Sequence, residues 1–173
     1  ITRPSAPQIL RLFDYVIFNA LIGNHDAHAK NFSLLYAGKS AILAPFYDVL
    51  STAIYPTLTP KMAMKIGSKY KFSEVQARHW DQFSEAVGLG KAQARKRILA
   101  LAKSMPPTAR ELQSSREHGF AGHAVVEQIV ILIEQRCALT VRRLSAPAAD
   151  MEDETVYSNW PRELRQKIGL KPE

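Results

Sequence analysis

From Gln8 to Gly23 apolar residues recur at spacings of three, four and seven, and Ile9, Leu10, Phe13, Val16, Ile17, Ala20 and Leu21 form one stripe. That spacing predicts an amphipathic helix with Pro7 in its first turn and Gly23 ending it. A polar loop, Asn24 to Asn31, comes next. Two short apolar runs follow, Phe32 to Tyr36 and Ala41 to Pro45. The turn-prone Ala37-Gly38-Lys39-Ser40 lies between them, and the pattern predicts a small β-hairpin. Between Asp48 and Pro60, two prolines and several threonines predict irregular chain.

The second half reads as helical. Ser73 and Gln76 fit a capping box, Trp80, Phe83 and Val87 supply a stripe, and Gly88 marks a stop. Another helix is predicted over Lys91 to Lys103, closed by Pro106-Pro107. A third runs from about Gly122 to Leu144, with Val125, Val126, Ile129, Leu132, Ile133, Cys137 and Val141 on its apolar side. The predicted fold class is therefore mainly α, with one small β-hairpin. Residues 1–144 form the body. Residues 145–173 begin SAPAADMEDE, with the bias of an acidic linker, and end in a tail where Trp160 and Leu164 could dock through a short helix. No internal repeat is present.

Composition narrows this picture. A 173-residue chain with 46% hydrophobic residues can bury one real core. The longest purely apolar runs, Ile98 to Ala102 and Ile129 to Ile133, are five residues each and fall far short of the roughly 20 residues a membrane-spanning helix needs. The opening ITRPSAPQ lacks the basic start and apolar core of a signal peptide. A single Cys137 excludes an intrachain disulfide, and a cytoplasmic location is expected. The net charge of +7 attracts polyanions of any kind, so it identifies no partner.

Candidate chemistry concentrates in LIGNHDAHAKNFSLL, residues 21–35, read with APFYDVL, residues 44–50. Asp26 and Asn31 lie five residues apart in the polar loop, and Asp48 follows the second predicted strand. Transfer of a phosphoryl group from ATP proceeds through a loose transition state, so a protein contributes mostly positioning and charge neutralisation. A carboxylate must take or orient the proton of the attacking hydroxyl, and Asp26 is the candidate. Magnesium prefers oxygen ligands and is commonly held by one or two carboxylates plus substrate phosphates. Asp48 fits as the main ligand, with the Asn31 amide oxygen as the second. The Asp-x-x-x-x-Asn spacing followed by a later Asp is that of a protein-kinase catalytic loop.

These strings, with MAMKIGSKY at residues 62–70 and RHW at 78–80, resemble the C-terminal region of HipA-family serine/threonine kinases, the toxins of bacterial toxin–antitoxin pairs. The likeness covers roughly residues 7–145. It implies a helical kinase C-lobe, with Asp26 as catalytic base and Asn31 and Asp48 as Mg2+ ligands. It also implies that His28, Ala29, Lys30 and Asn31, with Tyr47 and Asp48, line the ATP site. The implied partners are ATP, a protein substrate of the aminoacyl-tRNA synthetase class, and a helix-turn-helix antitoxin of HipB type. DNA would be met only indirectly, through the antitoxin, and a membrane not at all. In this family the amino-terminal half supplies the glycine-rich phosphate loop and strand lysine. No glycine-rich phosphate-binding string occurs here, so the chain by itself is expected to bind ATP weakly.

Alternatives are a small-molecule or lipid kinase with a similar loop, and a non-catalytic regulatory or binding module. Intact Asp26, Asn31 and Asp48 weigh against the second. His25 and His28 read as loop-fixing residues rather than metal ligands, because no cysteine or third histidine has matching spacing. His79 reads as packed against the body, Ser33 as a strand residue and Cys137 as a buried inert thiol. Lys91, Arg95, Lys96 and Arg97 read as a solvated face, with direct DNA contact the alternative.

Overall fold

In the computed structural model, residues 5–38 and 40–145 are described, and the predicted acidic linker and tail helix lie outside them. Helix α1, Ala6–Ile22, bears out the first stripe. It buries Phe13, Ile17, Ala20 and Leu21, and Gly23 caps it in the left-handed region at φ 78°. Glycine is required at that position twice over, because an added Cβ would also lie 2.7 Å from Leu132 and 2.8 Å from Ala53.

The first hairpin pairs β1, Leu34–Ala37, with β2, Ser40–Leu43, antiparallel. Ala37 pairs with Ser40, so the turn is the two-residue kind, and Gly38 takes φ 60°. Ser33 precedes β1 and extends the ladder only through its carbonyl, which accepts from Ala44 N.

A second hairpin, β3 Lys61–Ile66 with β4 Lys69–Lys71, was not predicted. It is only three residues long on one side. The signal was the alternation in KMAMKI, which buries Met62 and Ile66 while exposing Lys61, Ala63 and Lys65. Gly67 turns the chain at φ 58°, where a Cβ would meet the His79 carbonyl at 2.6 Å.

Helix α2, Ala77–Ala86, starts later than the pattern suggested. Its capping box is Gln76 with His79, not Ser73 with Gln76, because residues 72–74 form a separate 3-10 turn. Helix α3, Lys91–Ser114, continues past Pro106 and Pro107. The prolines remove two helix N–H donors, but packing on α4, Ala124–Ser145, carries the helix onward. Arg110, beyond the prolines, reaches Glu134 at 2.6 Å and Glu127 at 3.1 Å on α4. On α4, Val125 is exposed rather than core, while Cys137 is buried as expected.

The core joins α1, α2, α3 and α4 around Phe13, Ile17, Leu21, Trp80, Ile98 and Cys137. The basic cluster on α3 is not simply a solvated face. Lys91 pairs with Glu85 at 2.8 Å, Arg95 with Asp81, and Arg97 with Asp14, so three of its charges tie α3 to the residues before it. No helix among the described residues is long and apolar enough to cross a membrane.

Candidate active site

The polar loop hangs from the end of α1, and its first residues are held from below. Ser51 Oγ donates to the Ile22 carbonyl at 2.6 Å, and Ala53 N donates to the Gly23 carbonyl at 2.9 Å. Thr52 Oγ1 accepts from His25 N at 2.8 Å. These bonds satisfy carbonyls that a helix end leaves orphaned, and they anchor residues 51–53 against the loop. Ala63 N of β3 donates to the His25 carbonyl at 2.7 Å, so the second hairpin also braces it.

His25 is the loop's inner post. Burial, then the neighbouring Arg136 cation, push its pKa down to about 4. The ring is neutral, so Nε2 accepts from Arg136 at 2.8 Å and Nδ1–H donates to the Thr59 carbonyl at 3.1 Å. Both nitrogens are committed, which is why the loop-fixing reading suits His25 better than a metal role. Arg136 itself is 7% exposed; burial pushes its pKa down to about 9 and leaves it charged at neutral pH. Its guanidinium donates to the Ala20 carbonyl at 2.7 Å and lies 4.4 Å over the Phe72 ring. His28 helps shape the loop through its backbone, donating to the Asp26 carbonyl and accepting from Asn31 N. Its Nδ1 is buried with no hydrogen-bond partner among the described residues.

The segment carrying Asp48 is fixed by aromatic packing. Phe46 stacks on Tyr15 of α1 at 3.9 Å and meets Phe18 edge-on, while Tyr15 Oη donates to the Ala44 carbonyl at 3.3 Å. Tyr47 Oη donates to the Lys30 carbonyl at 2.8 Å, so the 2.6 Å contact with Ser33 has the serine hydroxyl as donor. Tyr47 thus straps the 3-10 turn Ala29–Asn31 to the Asp48 segment.

The three residues singled out for chemistry converge. Asn31 Nδ2 donates to Asp48 Oδ2 at 2.8 Å and to the Asp26 backbone carbonyl at 3.2 Å. Asp26, Asp48, Lys30 and Tyr47 are exposed on the same rim. Asp48 takes φ 53°, the one non-glycine residue in the left-handed region among those described.

The donor chemistry fits a hard divalent cation. Asn31 and Asp48 already share a hydrogen bond, and a half-turn of the Asn31 amide would set its oxygen beside the Asp48 carboxylate. Among the described residues no cluster of three or more His, Cys, Asp or Glu forms a self-sufficient metal site. A cation here would complete its shell with phosphate oxygens and water, as Mg2+ does in nucleotide sites.

Sequence reasoning passed over Asn24, which is 3% exposed. Its Oδ1 accepts from Asp26 N at 3.1 Å, and its Nδ2 donates to the Asp48 carbonyl at 3.1 Å and to Asn19 Oδ1 at 2.9 Å. Behind it lies an apolar cavity of about 110 Å³ between α1 and β3, lined by Val16, Phe32, Met62 and Phe83, with Asn19 and Asn24 on its polar side.

With this geometry in view, the comparisons with known proteins are specific. The family model described as the HipA-like C-terminal domain matches residues 1–109. The protein named "Putative kinase Y4mE" from Sinorhizobium fredii is 47% identical over 102 residues, 59% of this chain and 24% of the relative. The "Serine/threonine-protein kinase toxin HipA" of Shewanella oneidensis is 26% identical over 58% of this chain and 23% of its own length. In the solved complex of Shewanella oneidensis HipA, HipB and operator DNA, one chain matches with a TM-score of 0.68 at 21% identity, over 77% of this chain and 32% of that one. That likeness bears out the mainly helical fold. The chain spans about a quarter of the length of these curated relatives.

Proposed function

Because the chain belongs to the HipA-like C-terminal domain family, we propose that it is the catalytic-loop portion of an ATP-dependent serine/threonine kinase. The observation that carries this reading is the Asn31 amide, bonded at once to the Asp48 carboxylate and the Asp26 backbone. It gathers on one exposed rim the groups a phosphoryl transfer needs.

Asp26 takes or orients the proton of the attacking serine hydroxyl. Asp48 and Asn31 hold Mg2+, which when bound neutralises charge on the ATP phosphates. Tyr47 and the turn Ala29–Asn31 shape the wall against which the nucleotide lies. The names of the relatives extend the reading to a toxin kinase that pairs with a HipB-type antitoxin, and a protein of translation as its substrate rests on the family resemblance alone.

The decisive experiment uses radiolabelled ATP and the complete polypeptide that carries this chain. Asp26→Ala, Asn31→Ala and Asp48→Asn should each abolish incorporation into serine, while transfer undiminished in Asp26→Ala would remove Asp26 from the chemistry. Isothermal titration of Mg-ATP against the 173-residue chain should show weak binding, and micromolar affinity would contradict the dependence on a separate phosphate loop.

A further inference from the structure

Resting on that kinase reading, we infer that Asn24 is a positioning residue that sets the spacing between the backbone carrying the base and the backbone carrying the metal ligand. Its side chain bonds one group on each: the Asp26 N–H at 3.1 Å and the Asp48 carbonyl at 3.1 Å. These residues are 22 positions apart in the chain, and the stretch that bears Asp48, residues 44–50, is itself neither helix nor strand.

The task demands an amide. One backbone offers a donor and the other an acceptor, so the bridging side chain must accept at one end and donate at the other. Aspartate at this position accepts but cannot donate, and glutamine is one methylene too long for the same reach.

Asn24 is itself held. Its second amide hydrogen goes to Asn19 Oδ1 at 2.9 Å, and Asn19 Nδ2 donates to the Tyr15 carbonyl at 3.0 Å within α1. Both asparagines are buried, at 3% and 5% exposure. The rigid helix therefore dictates the clamp's orientation, and the clamp fixes Asp48 in its left-handed conformation at φ 53°.

The test uses Mn2+ together with ATP, Mn2+ being a paramagnetic stand-in for Mg2+, on the complete polypeptide that carries this chain, with amide NMR and thermal melts alongside. In the unaltered protein Mn2+ should broaden the amides of Asp26, Asn31 and Asp48, and Asp48→Asn should abolish this. Absence of either result overturns the metal assignment on which the kinase reading stands. Given both, Asn24→Ala should weaken Mn2+ binding at least tenfold. Ser51→Ala, which loses a bond at the same helix end but touches neither Asp26 nor Asp48, should melt lower yet bind Mn2+ as before.

A merely structural Asn24 would make metal affinity follow melting temperature in both variants, and that outcome, or affinity in Asn24→Ala within twofold of the unaltered protein, overturns the inference. Should Asn24→Ala fail to fold, Asn19→Ala decides. It leaves the clamp in place but frees its orientation, so a roughly threefold loss supports the inference and unchanged affinity refutes it.

Discussion

The outer and inner sides of the loop after α1 are held in opposite ways. Outside, Asp26 and Asp48 are exposed, and the bond from Asn31 to Asp48 joins two side chains at the surface. Inside, Ile22, Gly23 and His25 are held by Ser51, Thr52, Ala53, Thr59, Ala63 and Arg136, and Asn24 by Asn19 and the Asp48 carbonyl. The reactive groups stay accessible to substrate and cation, while most of the polar bonds that fix their backbone are at least part-buried, where water competes less. Substitutions on the two sides should therefore separate activity from stability.

The largest effect belongs to the outer side. Asp26→Ala in the complete kinase should lower transfer by about 10²–10⁴-fold, the range for losing a general base. Stability should change by no more than about 0.5 kcal/mol, since the side chain is exposed. Rate assays and denaturant melts on the same preparation check both halves. A large fall in stability would move Asp26 to the structural side of the comparison.

Next comes the inner side. Arg136→Ala removes a buried guanidinium, leaves the Ala20 carbonyl and His25 Nε2 without their donor, and opens space beside Phe72. A loss of about 3 kcal/mol is expected. Arg136→Met keeps most of the volume and should lose roughly 1–3 kcal/mol. Urea melts showing both variants as stable as the original would mean that burying the charge costs as much as its bonds return.

These two sides were unequally legible in the sequence. The outer side was readable because its residues form a pattern: an Asp, an Asn five positions on and a later Asp, a spacing common by chance that became specific only with the helix before it, the hairpin after it and the neighbouring family strings. The helix that presents them was equally plain, from its stripe and from Gly23. The inner side gave almost no such sign. Asn24 reads as one more polar loop residue, and nothing in the letters says that it is buried between two backbones. Arg136 left a fainter trace, as a charge interrupting the apolar face of α4 between Ile133 and Cys137. The second hairpin and the length of α3 were missed for a related reason. The alternation of β3 spans only six residues and β4, at three, carries little periodicity, and whether Pro106-Pro107 ends a helix is decided by its packing against α4, which lies more than a dozen residues further along the chain.

Acidification should sharpen the comparison from the inner side. The folded-state pKa of His25 is depressed from 6.5 to about 4, so the unfolded chain binds the proton first. Its contribution is complete above about pH 6.5 and is lost as the pH falls through about 4. With the ring only partly buried, this amounts to roughly 1–2 kcal/mol. His79 acts in the same direction, since burial and then Arg78 lower its pKa, and its Nδ1 accepts from Gln76 N in the α2 cap. In melts from pH 7 to pH 4, His25→Gln should flatten part of the slope. If His25→Gln leaves the slope unchanged, His25 is not the titrating post.

The smallest effect lies where the two sides meet, at Asp48, whose carboxylate faces the rim while its carbonyl is held by Asn24. A non-glycine residue at φ 53° carries about 1 kcal/mol of backbone strain. Asp48→Gly and Asp48→Ala both remove the carboxylate, so both should lose Mn2+ binding to the same extent. Only the alanine keeps the strain without the short polar side chain that makes aspartate tolerable there. The glycine variant should therefore be the more stable of the two by about 1 kcal/mol, read from paired denaturant melts. Equal stabilities would mean that the Asp48 backbone relaxes out of the left-handed region once its carboxylate is gone, and that Asn31 on the outer side, not Asn24 on the inner, keeps it there.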